Sequence, residues 1–135
     1  MPSGYSGTPL AKKLSLKDGM RAWREGMPES VADEIAQEGT QLQLLAAPEA
    51  PIDAAHIFVR SRAELEARLH QLIPLLDRAG FIWVSWPKKA SKVPTDITED
   101  VIRDVCLPMH LVDVKVCSVD DIWSGLKLVI RKKYR

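Results

Sequence analysis

Two short, almost unbroken apolar runs, AAHIFV at 54–59 and FIWVSW at 81–86, flank a stretch with helical spacing. Runs of that length suit strands buried on both faces. Between them, Ser61-Arg62-Ala63-Glu64 has the pattern of a capping box, in which the serine bonds the N3 amide and Glu64 reaches back. Leu65, Leu69, Leu72, Ile73 and Leu76 then recur at i, i+4, i+7, i+8 and i+11, one face of a helix. Pro74 removes a backbone donor and is expected to bend this helix, and Gly80 to end it. Strand, helix and strand at this spacing demand a crossover, and a crossover makes a parallel pair.

The flanking segments extend the pattern. Thr98 is placed to cap another helix, with Glu99 and Asp100 against its positive end and Ile97 and Ile102 as a hydrophobic staple. Pro108 limits that helix. Leu111 to Val119 alternates, with Val112, Val114 and Val116 on one side and Asp113, Lys115 and Cys117 on the other. Gly125 to Arg131 reads as the closing strand, with the hairpin connection at Val119-Asp120-Asp121-Ile122. Lys115 and Lys127 are expected to face each other across that hairpin. Upstream, Thr8 is expected to cap a short helix with Pro9 at its first position, carrying Leu10, Ala11 and Leu14 and ending near Lys17-Asp18-Gly19. Met20 to Arg24 is a poor short strand. Val31, Ile35 and Ala36 mark a modest helix stopped by Gly39, and Gln41 to Leu45 a brief edge strand. The expectation is an α/β fold: a small Rossmann-like three-layer sandwich, its mostly parallel sheet of about six strands ending in an antiparallel hairpin. Residues 1–135 read as one such domain, with 1–19 forming an N-terminal arm and short helix.

Composition removes several functions. With 135 residues, 46% of them hydrophobic, the chain is long enough to bury a core without staples. Nineteen basic residues against eighteen acidic ones argue against binding polyanions through gross charge, so nucleic acid is disfavoured as a partner. Cys106 and Cys117 lack the spacing of a disulfide scaffold or a zinc site. No apolar run approaches the ~20 residues of a membrane span, and MPSGYSGTP lacks a signal-peptide core, so a cytoplasmic protein without membrane contact is expected. His56, His70 and His110 share no metal spacing, and no metal or cofactor is implied. Cys106, near a helix C-terminus, should have its pKa raised by the dipole. No G-x-S-x-G elbow, Walker A loop or H-E-x-x-H helix occurs. Asp120-Asp121 is explained by a turn, Trp123 by hairpin packing, and the Arg131 to Arg135 run by a strand emerging into water.

One segment gathers candidate binding groups. Ser85 to Asp96 leaves the carboxyl end of a strand, where open α/β sheets bind ligands. In it Lys88, Lys89 and Lys92 supply charge, Ser85, Ser91 and Thr95 donate hydrogen bonds, Trp86 offers a stacking face, and Asp96 closes the loop. This set suits a phosphate or carboxylate. Tyr5, Ser6, Thr8, Lys12 and Lys13 read as a mobile tail leading into a surface helix, with a lid over the same edge as the other reading.

The motifs GYSGTPLAKKL (4–14), WVSWPKKASKVPTDITEDVIR (83–103) and LVDVKVCSVDDIWSGLKLVIRK (111–132) resemble a bacterial family known only as a domain of unknown function. More distantly, the second half resembles a class I methyltransferase. Leu75 to Phe81 is similar to the glycine turn before that fold's fifth strand. The likeness implies a sheet with the first strand beside AAHIFV, the final strand beside FIWVSW, and Leu111 to Val119 at the edge. An S-adenosylmethionine site also implies a glycine-rich turn after the first strand, where Arg24-Glu25-Gly26-Met27-Pro28 has one glycine, and an acidic ribose anchor, for which Glu49 is the nearest residue. Together these give a non-catalytic binding or regulatory module taking a small anionic ligand, or an acidic protein segment, at 85–96. One alternative is a degenerate methyltransferase-like enzyme with Asp96 or Asp113 as general base. The other is a weak nucleic-acid binder using Lys88 to Lys92 and the C-terminal run. The oligomeric state is left open.

Overall fold

The computed structural model describes residues 7–135, so the expected Gly/Ser stretch with Tyr5 and Ser6 lies outside the described residues. The elements are α1 (Leu10–Lys13), β1 (Arg21–Glu25), α2 (Glu29–Gln37), β2 (Gln43–Leu44), β3 (Ile52–Phe58), α3 (Arg62–Leu72), β4 (Leu76–Pro87), α4 (Glu99–Cys106), β5 (Leu111–Ser118) and β6 (Trp123–Ile130). Six strands form one sheet in the order β2-β1-β3-β4-β6-β5. β1 to β4 are mutually parallel, and β6 runs antiparallel to both β4 and β5. This is the α/β, Rossmann-like sheet with a C-terminal hairpin that the sequence implied. Its strand placement is the one implied by the methyltransferase resemblance.

Helices cover both faces. Against α3 and α4 lies an aliphatic cluster that includes Ile52, Ile57, Leu65, Leu69, Leu72, Ile82, Val84, Ile102, Leu126 and Leu128. Against α1 and α2 lies a second cluster in which Phe58, Phe81, Trp83 and Trp123 meet Leu10, Leu14, Val31 and Ile35. The two clusters follow from the strand period of two, which sends Ile57 and Phe58 to opposite sides.

Three sequence expectations change at element boundaries. First, the helix after Ser61 does not run to Gly80. The capping box forms, with Glu64 N–H donating to Ser61 Oγ at 3.1 Å, but α3 stops at Leu72. Pro74 lies at the start of a 3-10 turn over Ile73–Leu75, and Leu76 already pairs with Ile52 in the sheet. A proline cannot donate into a continuing helix, but the first turn of a new one needs no such bond. Gly80 is therefore a strand residue, not a helix cap. A Cβ there would stand 2.8 Å from the Ile52 carbonyl oxygen and 3.0 Å from that of Asp53, so only glycine lets the irregular start of β4 lie against β3.

Second, Thr8 is not the cap of α1. The N-cap position is Pro9, and the amides of Leu10 and Ala11 donate to the Glu38 carboxylate at 2.9 and 2.6 Å. A residue from the end of α2 thus performs the capping. The short helix expected here forms, and residues 10–16 pack on the sheet: its apolar side, Leu10, Ala11 and Leu14, is buried, and Trp83 Nε1–H donates to the Leu14 carbonyl at 2.9 Å.

Third, a register shift between Asp113 and Lys115 interrupts the alternation of β5, leaving Val114 and Val116 more than half exposed. Lys115 does face Lys127 directly. Their ammoniums part: Lys115 donates to the Lys13 carbonyl at 2.9 Å, and Lys127 to Ser15 Oγ at 3.0 Å while lying over the Phe81 ring. Burial, then Lys115 and Lys17, lowers the Lys127 pKa.

Candidate functional site

In an open α/β sheet the crevice for ligands opens outside the carboxyl ends of the strands, where the chain reverses its direction of progress across the sheet. Here β1 is followed outward by β2, and the chain then returns to place β3 on the other side of β1. The switch point thus lies between the ends of β1 and β3, where Glu25 pairs with Ile57.

The turn leaving β1 is Gly26-Met27-Pro28. Gly26 has φ +71°, and a Cβ there would come 3.1 Å from the Phe58 carbonyl oxygen, so the turn rests on the exit of β3. Pro28 is the N-cap of α2 and supplies no side-chain cap, so the first amides of the helix lack a capping oxygen, and Glu29 is the acidic residue in its first turn. Glu25 and Trp23 extend from the same face of β1. One Glu25 oxygen meets Arg68 at 3.4 Å, whereas its Oε2 is buried without a hydrogen-bond partner, and so is Trp23 Nε1. A buried polar atom left without a partner is uncommon enough to mark a place where a ligand or water completes the bonding.

Arg24 points the other way, beside His56. The His56 ring is buried, stacks on Phe58 at a centroid distance of 4.4 Å, and its Nε2 lies 2.7 Å from Ser85 Oγ. Burial, reinforced by the Arg24 charge, lowers its pKa to about 3, so the ring is neutral at ordinary pH. The cavity alongside, lined in part by Arg24, Met27, His56 and Trp83 and closed by Leu14 and Leu16, measures about 10 Å³. That is scarcely room for one water.

The Ser85 to Asp96 candidates are dispersed by this fold. Ser85 and Trp86 belong to β4 and face opposite layers, Ser85 toward His56 and Trp86 into the aliphatic cluster. Lys88 Nζ–H donates to Ser118 Oγ at 2.6 Å. Ser91 Oγ–H donates to the Lys88 carbonyl and accepts from the Val93 amide. Thr95 Oγ1–H donates to the Arg60 carbonyl at 2.6 Å, and the Asp96 carboxylate accepts the Arg62 amide at 2.7 Å. Those last two bonds stitch the loop to the exit of β3. Lys89 and Lys92 stay exposed. Asp113, the other aspartate considered as a base, pairs with Arg103 at 3.1 Å. Glu49 is not at the ligand edge: its carbonyl meets Arg21, the first residue of β1, at the opposite end of the sheet. Cys106 has its pKa raised to about 11, as expected in direction, chiefly by burial and then by Asp113. Among the described residues, no group of three or more His, Cys, Asp or Glu is placed to hold a metal ion. Sequence reasoning passed over Glu25; its only signal was an acidic residue ending a strand just before a glycine.

No family model and no curated protein matches the sequence. Solved structures do match the fold. An S-adenosylmethionine-dependent methyltransferase from Aquifex aeolicus superposes with a TM-score of 0.62 at 13% identity, over 90% of this chain and 87% of that one. This chain has the methyltransferase-like Rossmann fold. Magnesium protoporphyrin IX methyltransferase from Synechocystis PCC 6803, solved with bound S-adenosylmethionine, gives 0.57 at 13% identity, covering 91% and 74%. A methyltransferase from Pyrococcus furiosus gives 0.57 at 10%, covering 90% and 80%. These likenesses overturn the expected non-catalytic module for an anionic ligand or acidic segment at 85–96. The repeated match is to methyltransferases, and Ser91, Thr95 and Asp96 are spent on the chain's own backbone while Ser85 bonds His56.

Proposed function

We propose that this chain is a methyltransferase-like domain that receives an S-adenosylmethionine-type methyl donor at the turn leaving β1. The observation that carries the reading is Glu25, whose buried Oε2 lacks a donor at the switch point of the sheet. A carboxylate oxygen left without a donor can accept from a hydroxyl or ammonium group of a bound ligand. Two features present suit such a donor. Glu25 offers an unfilled acceptor to its hydroxyl or ammonium groups, and the N-terminus of α2, which has no side-chain cap and one acidic residue, Glu29, in its first turn, presents free amides toward an anionic group. When bound, the donor supplies an activated methyl group. Asp96 and Asp113 are engaged elsewhere, and neither is assigned as a base. Both cysteines are free, which suits a reducing cytoplasm, and no described helix is long and apolar enough to cross a membrane.

The test is calorimetric titration with S-adenosylmethionine. Saturable one-site binding is expected, weakened at least tenfold, about 1.4 kcal/mol, by Glu25→Ala. No binding to the unmodified chain, or unchanged affinity in Glu25→Ala, would overturn the reading.

A further inference from the structure

We infer that a cleft between α1 and the carboxyl half of β5 is a binding site for a small phosphorylated molecule. The site is separate from the β1 turn and does not rest on the methyl-donor reading. It also lies outside the 88–96 loop, on α1 and β5. Thr8, Lys12, Lys13, Lys115, Val116, Cys117 and Ser118 line it as an open groove of about 480 Å³. β5 runs in the same direction as β1 to β4, so its end at Ser118 emerges at the carboxyl edge of the sheet.

The three distinctive sequence motifs meet here. Lys13, from the first, donates through Nζ to the Ser118 carbonyl at 2.8 Å. Lys88, from the second, donates to Ser118 Oγ at 2.6 Å. Lys115, from the third, returns a bond to the Lys13 carbonyl at 2.9 Å. These bonds hold α1 against β5 and fix where the ammoniums stand. An ammonium carries three donors, so the bond to Lys13 leaves Lys115 with capacity for a ligand.

Charge and size name the ligand class. Lys12, Lys13 and Lys115 line the cleft with no carboxylate among the lining residues. Glu34 stands near Lys13, with Glu38 and Asp120 within electrostatic reach of Glu34, so carboxylates border the cleft without forming its wall. A multiply charged anion answers three ammoniums better than a single carboxylate does. Lysines acting as point charges suit phosphate, whereas planar carboxylate recognition favours the arginine fork. The open groove is wider than bare phosphate needs, and Val116 and Cys117 offer an apolar wall to a small organic body carrying the phosphate. The Lys13, Lys115 and Lys88 charges all reach Cys117 and favour its thiolate, although burial outweighs them and raises the thiol pKa.

Pyrophosphate is the probe, titrated calorimetrically into the full chain at fixed ionic strength. Saturable one-site binding is expected, weakened at least tenfold by Lys12→Glu and unchanged by Lys132→Glu on the far C-terminal run. Lys12 is exposed on α1, so its reversal leaves the core intact, and Lys115→Gln is expected to weaken binding as well. Absence of saturable heat in the unmodified chain would overturn the inference. So would equal weakening by Lys12→Glu and Lys132→Glu, the signature of diffuse attraction.

Discussion

The two faces of the sheet are held by different physics. Beneath α3 and α4 the contacts are mainly aliphatic, with Leu65, Leu69, Leu72, Ile82 and Ile102 fully buried. Beneath α1 and α2 the layer is aromatic and polar. There Trp83 bonds a backbone carbonyl, His56 bonds Ser85, and a glutamate from one helix caps the other. The first face needs only side chains of the right size at the right period. The second needs particular atoms to meet across 27 to 69 residues of sequence. The candidate site draws on both: Arg24 and His56 face the second, whereas Glu25 and Trp23 lie on the first, Glu25 reaching Arg68 of α3.

The sharpest way to break this contrast is by truncation on each side. Leu69→Ala, on the aliphatic face, is expected to lose the most, about 3 kcal/mol of unfolding free energy by urea titration, because the cavity cannot collapse between α3 and the sheet. Glu38→Ala is expected to cost roughly 2 kcal/mol, since two charge-assisted bonds are lost at once. It should also speed amide hydrogen exchange in residues 10–16 far more than in α3; equal acceleration in both would show the arm is not a separately held unit. Trp83→Phe should cost about 1–2 kcal/mol by leaving the Leu14 carbonyl unpaired.

His56 sharpens the contrast through pH. Its folded-state pKa, about 3, lies below the ordinary imidazole value, so between those values the unfolded chain binds the extra proton. Stability contributed by the neutral ring is complete above the unfolded pKa and is lost as pH falls toward the folded one. Urea titrations from pH 7 to pH 4 should show this decline in the parent and a flatter profile in His56→Gln. The smallest effect belongs to the surface: Arg62→Ala, which breaks an exposed i,i+4 pair to Glu66, should change stability by less than about 0.5 kcal/mol.

The aliphatic face was the legible one. AAHIFV, FIWVSW and the leucines at 65, 69 and 72 announce their elements by period, and the capping box at Ser61 fixes where α3 starts. Its end was misread because Leu76 continues a helical period by coincidence while pairing with Ile52, a contact that no local pattern encodes. The strand order was readable through resemblance, not through periodicity. The candidate site was largely illegible. Ser85 to Asp96 clusters binding groups along the chain, but strand alternation turns Ser85 and Trp86 apart, and the β3 exit consumes Thr95 and Asp96. Conversely, Glu25 is an ordinary glutamate in sequence, and only the packing around it leaves one oxygen buried and unpaired.

The central claim, a methyl-donor site at the β1 turn, is tested most directly by backbone amide shifts during titration with S-adenosylhomocysteine. The account predicts saturating shifts concentrated at Glu25 to Ser30 and in the facing Phe58 to Ser61 segment, lost in Glu25→Ala. Shifts confined to the Lys88 to Asp96 loop, or no saturating shift anywhere, would contradict it.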